Sequence, residues 1–276
     1  MTIGVLGLGI IGSEWAKHYH AAGKLAGVWN RTPHPDFPQW KAKPAEVAAA
    51  ADVVQIVVAD PPAVREVLQQ IESQLGPGKI VIQSSTIDPT SSEEFAKRVT
   101  AKGARYLEAP FTGSRPAAQQ KQTVYFLGGD PELIRDVEPL LSLVSAHRLV
   151  IGSGPQAAAI KLAMNLNIAA QMEGLAESLT MARRANIPDD TFFEVISKNV
   201  GYSGLTKLKE PKLRARDYAT QFSVKHLHKD MRLASATAGC ADFPVLDAVR
   251  ESLKTAEARG LGDEDFSAVI KLLEQD

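Results

Sequence analysis

The sequence predicts an α/β fold, a doubly wound and mostly parallel sheet, together with a second domain that is all helical. Over the first half of the 276 residues, short apolar runs alternate with amphipathic helical patterns. This alternation is typical of parallel strands joined by right-handed helical crossovers. A Gly-x-Gly-x-x-Gly motif at residues 7–12 separates the first apolar run from the first helical pattern. After about residue 152 no strand-like run follows, so the remainder is predicted to be helical.

The predicted strands are short and apolar, as expected for strands that are buried on both faces of a sheet. They cover residues 2–8, 25–30, 51–59, 79–85, 104–110, 123–130 and 146–153. Amphipathic helices are predicted between them, over residues 10–23, 61–75, 91–103 and 131–144. This alternation predicts a first domain over residues 1–154.

The second domain is predicted to span residues 155–276. It opens with a long helix over residues 155–186, which is rich in Ala, Leu, Met, Glu and Gln and contains no clear breaker. Further helices and their connections are predicted over residues 191–199, 201–211, 222–239, 243–260 and 263–275. We expect the long helix itself, and not a flexible linker, to join the two domains.

The composition narrows the class of protein. Hydrophobic residues make up 45% of the chain and charged residues 23%, and the formal net charge is −1. This balance argues against nucleic acid as a partner, because phosphate binding normally needs a basic surface. No apolar run approaches the roughly 20 residues that span a bilayer, and no secretory signal is evident. The single Cys240 fits a reducing compartment, so we expect a cytoplasmic protein without membrane contact.

The glycine motif predicts a binding site for a dinucleotide pyrophosphate, in a domain of Rossmann type. Gly7 permits a tight turn, Gly9 lets the backbone approach the pyrophosphate, and Gly12 lets helix and strand pack closely. The anion would then lie at a helix N-terminus, where free N–H groups favour it. The alternative is a glycine-rich turn that binds no ligand. The predicted cofactor-binding segment is Gly7, Leu8, Gly9, Ile10, Ile11 and Gly12.

The end of the second predicted strand favours NADP over NAD. An NAD site usually has an acidic residue there for the ribose hydroxyls, but this chain has Asn30, Arg31 and Thr32. Arg31 can form charge-assisted hydrogen bonds to a 2′-phosphate, helped by the Thr32 hydroxyl. The alternative is that Arg31 caps a surface turn or stacks on the adenine.

Polar residues follow the fourth and fifth predicted strands. Ser85 and Thr86 follow the fourth strand, and Thr112, Gly113 and Ser114 follow the fifth. Ligands bind beyond the carboxyl ends of strands in such sheets. Hydroxyl and N–H groups at this edge can therefore bind a carboxylate or carbonyl oxygen, although the same residue types are also common in ordinary turns.

Lys161 is the candidate catalytic residue. Its neighbours along the predicted long helix are apolar, and a buried ammonium has a lowered proton affinity and can donate a proton near neutral pH. Asn165 lies one helical turn further on, where its amide can hold that ammonium or a substrate oxygen. The alternative is that Lys161 is a solvated surface charge, as lysines on amphipathic helices usually are.

The Lys229–Asp230 pair, taken alone, indicates a solvated helix face. His226 and His228 flank it, but side chains two positions apart diverge on a helix, so a metal pair is not expected there. The chain has no HExxH motif, no clustered carboxylate set and no Cys/His quartet, and we predict no metal site.

Five motifs in this order resemble the β-hydroxyacid dehydrogenase family, nearly end to end. GLGIIG is similar to the family's GLGxMG, SSTIDP to STxxP, and EAPFTGS to APVSGG or APVSGS. GSGPQAAAIKLAMN is similar to GxGxxxxxKxxxN, and FSVKHLHKDMRLA to F…KDLxLA. The Asn-Arg-Thr sequence and the serine at position 114 look most like the NADP-linked semialdehyde reductases.

The resemblance implies a role for each matching residue. Lys161 would be the general acid in reduction and the general base in oxidation, and Asn165 would orient it or the substrate. The resemblance also implies that Thr86 lines the nicotinamide site. Thr112, Gly113 and Ser114 would bind the substrate carboxylate, and Val57, Val58 and Lys229 would contact the cofactor. Helical second domains of this type usually pack against a copy of themselves, which implies a homodimer or homotetramer.

The chain departs from the family pattern at several positions. Ile11 and Thr112 replace the usual Met and Ser, and Lys121 and Thr123 replace the usual Gly and Leu. If the turn at Lys121 needs a positive φ angle, the lysine costs about 1 kcal/mol there. These changes affect the expected substrate and not the expected chemistry.

The leading hypothesis is therefore an NADP(H)-dependent oxidoreductase that interconverts a small carboxylate-bearing aldehyde or keto acid and its hydroxy acid. One alternative is an imine reductase of the same fold, against which Lys161 argues because those enzymes typically lack the lysine. The other is a non-catalytic protein that binds the cofactor or a partner.

Overall fold

The computed structural model describes residues 1–237, 239–240 and 242–274. The chain forms two compact units, Met1–Lys161 and Leu162–Asp276. The division between them falls inside one long helix, Gly154–Arg184, seven residues after the boundary predicted between residues 154 and 155. The predicted domain boundary stays a prediction.

The first unit contains one eight-stranded sheet. Its strands are β1 (Ile3–Leu6), β2 (Leu25–Trp29), β3 (Val53–Ile56), β4 (Ile80–Gln83), β5 (Arg105–Glu108), β6 (Phe111–Thr112), β7 (Thr123–Gly128) and β8 (Ser145–Gly152). The strand order is β2-β1-β3-β4-β5-β7-β6, and β8 also pairs with β7. The first five strands are parallel, whereas β7 is antiparallel to β5 and β6. The predicted doubly wound, mostly parallel sheet is thus confirmed.

Helices cover this sheet and build the second unit. They are α1 (Gly12–Ala21), α2 (Pro44–Ala50), α3 (Pro61–Ile71), α4 (Pro89–Thr100), α5 (Arg115–Gln119), α6 (Pro131–Leu141), α7 (Gly154–Arg184), α8 (Asp189–Ser197), α9 (Gly204–Ala215), α10 (Val224–Ala236) and α11 (Pro244–Ala256). A 3₁₀ helix, Phe266–Leu272, lies near the end of the described chain. Over its described residues, the second unit is built from helices, which confirms the predicted helical second domain.

Alternation along the strands creates two apolar cores in the first unit. Val53 belongs to a cluster that contains Trp15 and Tyr19, whereas its neighbour Val54 belongs to a cluster that contains Phe95. Successive strand residues point to opposite faces of a sheet, so the two clusters mark its two helix-covered sides.

Three short elements escape sequence analysis, namely α2, β6 and α5. Their lengths of seven, two and five residues are too short for a hydrophobic period to become visible. The segment predicted as helix over residues 263–275 is instead the 3₁₀ helix, and residues 275 and 276 lie outside the described residues.

The second unit is held by an apolar core and by a buried ion pair. Its core includes Leu175, Phe193 and Met231. Lys209 Nζ lies 2.6 Å from Asp265 Oδ1, and these two residues are 1% and 0% exposed. Burial lowers the pKa of Lys209, while the neighbouring ammonium holds the pKa of Asp265 below its usual value against the effect of burial. Within the described ranges, no helix has both the length and the apolarity needed to cross a membrane.

Candidate active site

The glycine loop after β1 has the backbone geometry that the motif predicts. Gly7 has a φ angle of 112°, and a Cβ atom there would lie 2.2 Å from the Val57 carbonyl oxygen. A Cβ atom on Gly12 would lie 2.0 Å from the Gly7 carbonyl oxygen. Both positions therefore exclude any side chain, and the loop is pressed against the end of β3.

Gly9 differs from these two glycines because it faces open space. A Cβ atom there would meet no atom within 4 Å. The Ser13 N–H and hydroxyl groups both donate to the Gly9 carbonyl oxygen, at 3.1 and 2.8 Å, and so begin the first turn of α1. The first N–H groups of a helix have no acceptor within the helix. An open glycine beside a helix N-terminus fits a dinucleotide pyrophosphate.

Asn30 connects this loop to the end of β2. Its Oδ1 atom accepts from the Leu8 N–H at 2.9 Å, and its Nδ2 atom donates to the Thr32 carbonyl oxygen at 3.0 Å. The Asn30 side chain thereby holds two predicted cofactor-binding segments in register. The side chains of Arg31 and Thr32 are exposed beyond it, where a phosphate can reach them.

The ends of β3 and β4 lie side by side, since these strands pair directly. The Val58 N–H donates to the Ser85 hydroxyl at 2.8 Å, which ties the two strand ends together. Val57, Val58 and Thr86 are half-buried. The predicted cofactor residues of these two strands thus share one edge of the sheet with the glycine loop.

The predicted substrate loop, Thr112–Ser114, begins at the last residue of the short strand β6. Gly113 has a φ angle of 130°, and a Cβ atom there would lie 3.1 Å from both Ala117 Cβ and Thr123 Cγ2. A glycine is therefore required at this position, as the turn combines a positive φ angle with close packing. Ser114 stands immediately before α5.

Lys161 lies on α7 and is 8% exposed. Its Nζ atom is 5.9 Å from the centroid of the Phe111 ring, and that ring packs edge-on against Trp15 at 4.6 Å between centroids. Phe111 immediately precedes Thr112 in β6. The ammonium is therefore withdrawn from bulk water beside the strand that leads into the predicted substrate loop, at the outer range of a cation–π contact.

Asn165 follows Lys161 by one turn of α7 and belongs to the helical unit. It is 2% exposed, and its Nδ2 atom donates to Asp230 Oδ2 at 2.6 Å. Asp230 is 1% exposed, and Lys229 Nζ lies 2.7 Å from its Oδ1 atom. Interpreting the Lys229–Asp230 pair as a solvated helix face is therefore wrong, because the carboxylate is buried and oriented toward Asn165.

Sequence analysis did not recognise Asp230 as the buried partner of Asn165. The signal was present in the helical period, because Leu227, Met231 and Ala234 are buried and Asp230 shares their face of α10. A charged residue on an apolar helix face needs a partner, and Asn165 and Lys229 supply it.

The two histidines of α10 have partners within the helical unit. His226 Nδ1 lies 2.6 Å from the Ser223 hydroxyl, and His228 Nδ1 contacts Glu257. The two side chains thus bond to separate groups. Among residues 1–237, 239–240 and 242–274, no group of three or more metal-ligating side chains comes together.

Two family models match the chain and together cover nearly all of it. Residues 2–152 match the NAD binding domain of 6-phosphogluconate dehydrogenase. Residues 155–273 match the model described as NAD-binding of NADP-dependent 3-hydroxyisobutyrate dehydrogenase. The first model ends, and the second begins, within a few residues of the change from alternating strands and helices to helices alone.

Individual proteins are similar over the whole chain. Glyoxylate/succinic semialdehyde reductase 2, chloroplastic, of Arabidopsis thaliana is 33% identical, with 99% of this chain and 79% of that protein covered. The cytokine-like nuclear factor N-PAC of Danio rerio is 29% identical over 98% of this chain and 61% of its own length. The crystal structure of 3-hydroxyisobutyrate dehydrogenase from Salmonella typhimurium is 27% identical, covers 99% of both chains and has a TM-score of 0.87. With the glycine loop and the two-part architecture, these matches show that the chain belongs to the β-hydroxyacid dehydrogenases, NAD(P)-dependent enzymes that act on CH–OH groups.

Proposed function

We propose that this protein is an NADP(H)-dependent oxidoreductase that interconverts a small aldehyde or keto acid and the corresponding hydroxy acid. The observation that carries the proposal is the buried Lys161 ammonium beside β6, the strand that leads into Thr112–Ser114. The similarity to a glyoxylate/succinic semialdehyde reductase makes glyoxylate and succinic semialdehyde the first substrates to test.

Lys161 acts as the general acid in reduction. A bound nicotinamide dinucleotide supplies the hydride for the carbonyl carbon. The Lys161 ammonium donates its proton to the carbonyl oxygen, and in oxidation the neutral amine takes that proton back. Negative charge grows on this oxygen mainly in the transition state, so a nearby ammonium in a water-poor setting lowers the barrier more than it tightens substrate binding.

The substrate loop holds the acid end of the substrate. The Thr112 and Ser114 hydroxyls and the loop N–H groups are suited to a carboxylate, and Gly113 allows the backbone turn that presents them. Asn165 orients the reacting groups, with its amide fixed by Asp230. Lys229, which is paired with the same carboxylate, is assigned to the cofactor.

NADP is the preferred cofactor in this proposal. Arg31 and Thr32 are exposed next to the glycine loop, and no acidic residue stands at the end of β2 to repel a 2′-phosphate. An arginine fork and a hydroxyl together favour such a phosphate. A homodimer or homotetramer in the cytoplasm completes the proposal.

The test is a substrate panel measured with NADPH and with NADH. We expect turnover of glyoxylate or succinic semialdehyde with NADPH, and a lower kcat/KM with NADH. Faster turnover of a cyclic imine than of either acid would favour the imine reductase alternative. Tight cofactor binding without turnover of any carbonyl acid would favour the non-catalytic alternative, which the similarity to N-PAC also raises.

Lys161→Ala tests the assigned acid. Positioned proton transfer contributes roughly 10²–10⁴-fold, so we expect a loss of kcat in that range with NADPH affinity retained. Lys97→Ala, which removes an exposed lysine from α4, is the matched control. A Lys161→Ala variant that keeps more than about a tenth of wild-type turnover, with an unchanged pH profile, contradicts the mechanism.

A further inference from the structure

The first unit contains a buried carboxyl group that the proposed mechanism does not use. Glu108, the last residue of β5, is 0% exposed. Its Oε1 atom accepts from Gln83 Nε2 at 2.8 Å, and its Oε2 atom accepts from the Tyr106 hydroxyl at 2.7 Å. Within the described part of the chain, no lysine, arginine or histidine forms an ion pair with it. A buried acid without a counter-charge favours its neutral form, and burial raises the pKa of Glu108 to about 8.

Gln83 carries the effect of this carboxyl group to the end of β4. Its Oε1 atom accepts from the Ser85 N–H at 2.6 Å, and its Nε2 atom donates to the Ser85 carbonyl oxygen at 2.9 Å as well as to Glu108. One side-chain amide thus binds both backbone polar groups of Ser85. Because Nε2 binds both Ser85 and Glu108, the hydrogen bond to Glu108 fixes the amide orientation in which Gln83 binds Ser85.

Ser85 in turn fixes the neighbouring strand end. Its hydroxyl accepts from the Val58 N–H at 2.8 Å, and Thr86 follows it directly. These are the residues assigned to the cofactor at the ends of β3 and β4. A continuous set of hydrogen bonds therefore runs from Glu108 through Gln83 and Ser85 to Val58.

The cluster has little free volume in which to rearrange. Gln83, Ser85 and Glu108 are all nearly or fully buried. A Cβ atom on Gly154, the first residue of α7, would lie 3.0 Å from the Ser92 hydroxyl oxygen and 3.3 Å from Glu108 Cβ. The start of the helix that carries Lys161 is thus packed against the same carboxyl side chain.

We propose that Gln83 and Glu108 are positioning residues that fix the Ser85–Thr86 turn for nicotinamide cofactor binding. The assignment of Thr86 to the cofactor rests on the proposed function, but the hydrogen bonds that shape the turn do not. Gln83 sets the backbone of the turn, and Glu108 holds Gln83 in the rotamer that this requires.

Gln83→Leu and Glu108→Leu test this role through cofactor affinity. Each leaves a buried polar group without its partner, which we expect to weaken NADPH binding by about 10-fold. The KM of the carbonyl substrate is expected to change by less than about twofold, since its loop follows β6 and not β4. The double variant is expected to be no weaker than the worse single variant, because the two residues act through one hydrogen bond.

Glu108→Gln is the conservative rescue. Its carbonyl oxygen can still accept from Gln83, and its NH₂ group can donate to the Tyr106 hydroxyl oxygen. We expect NADPH affinity within about twofold of wild type for this variant. If Gln83→Leu does not fold, Gln83→Asn, whose amide is one methylene too short to span both Ser85 groups, replaces it.

Ser145→Ala is the control for a purely structural effect. Ser145 is 5% exposed, and its hydroxyl donates to the Leu141 carbonyl oxygen at 2.7 Å. This variant therefore also loses a buried hydrogen bond. We expect a lower Tm and unchanged NADPH affinity. If Gln83→Leu and Glu108→Leu behave in the same way as Ser145→Ala, the proposal is overturned. NADPH binding is followed by fluorescence without substrate, so failure of the proposed reaction would leave this result intact.

Discussion

Asp230 determines how the Asn165 amide is presented. The Asn165 Nδ2 atom is committed to Asp230 Oδ2 at 2.6 Å, so the amide oxygen is the atom turned away from the carboxylate. Asp230→Ala removes the acceptor of the Asn165 Nδ2 atom and a carboxylate that pairs with Lys229. A hydrogen bond to a charged group contributes about 1.5–3 kcal/mol, and we expect kcat/KM to fall by roughly 10-fold or more. Asp230→Asn keeps one acceptor and should lose less, and Asp263→Ala, at an exposed carboxylate, should lose nothing. Equal activity of Asp230→Ala and wild type would remove Asp230 from the site.

Lys121 occupies a backbone conformation that disfavours its side chain. Its φ angle is 59°. The turn therefore has the positive φ angle at which a lysine, in place of the family's usual glycine, costs stability. The side chain is exposed, and its removal sacrifices no core contact. We expect Lys121→Gly to raise the free energy of unfolding by up to about 1 kcal/mol, as measured by urea denaturation. Lys97→Gly, within α4, should instead destabilise the protein by about 1 kcal/mol, and a destabilising Lys121→Gly would mean that the lysine side chain holds this turn.

At the scale of secondary structure, substitutions at Gly9, just before α1, and at Gly12, its first residue, should distinguish an effect on folding from an effect on cofactor binding. A Cβ atom at Gly12 would lie 2.0 Å from the Gly7 carbonyl oxygen, whereas a Cβ atom at Gly9 would meet no atom within 4 Å. Gly12→Ala should therefore lower both the Tm of the cofactor-free protein and NADPH affinity. Gly9→Ala should leave that Tm within a degree or two and weaken NADPH binding by about 10-fold or more, because the methyl group occupies the space of the pyrophosphate. Unchanged NADPH affinity in Gly9→Ala would place the cofactor elsewhere.

The same scale explains which features could be predicted from the sequence. The parallel strands, the long helix and the glycine loop are specified by local patterns, in which an apolar period or a fixed spacing corresponds to one geometry. The pairing of Gln83 with Glu108 and of Asn165 with Asp230 depends on residues 25 and 65 positions apart. No local period carries that information. Buried polar partners are set by tertiary packing, which is why sequence analysis found Asn165 but did not identify Asp230 as its partner.

At the scale of the whole molecule, acid should destabilise the helical unit through Asp265. Burial raises the pKa of this carboxyl, but the Lys209 ammonium and the Ser267 hydroxyl and N–H groups outweigh it and hold the pKa below its usual value. A carboxyl whose pKa is lowered by folding stabilises the folded state above its unfolded pKa, near 3.8, and loses that contribution as the pH falls through the folded value. Asp265→Asn should lower stability at pH 7 by several kcal/mol, as it leaves a buried ammonium unpaired. Circular dichroism melts at pH 7 would detect this, and an unchanged Tm would show that Lys209 is neutral in the folded protein.

The first unit should have the opposite pH dependence, because its buried acid Glu108 has a raised pKa. Burial and the nearby Asp88 raise this pKa to about 8, although hydrogen bonds from Tyr106 and Gln83 lower it. Between about pH 4.5 and 8 the folded state holds this proton and the unfolded chain does not, so stability falls as the pH rises, by at most about 1.4 kcal/mol per pH unit. All three tryptophans lie in the first unit, so denaturation followed by tryptophan fluorescence reports on this unit. We expect a higher urea midpoint at pH 5.5 than at pH 8 in the wild type. Glu108→Gln, which has no proton to lose, should flatten that difference, and a slope unaltered by the substitution would assign the titration to another group.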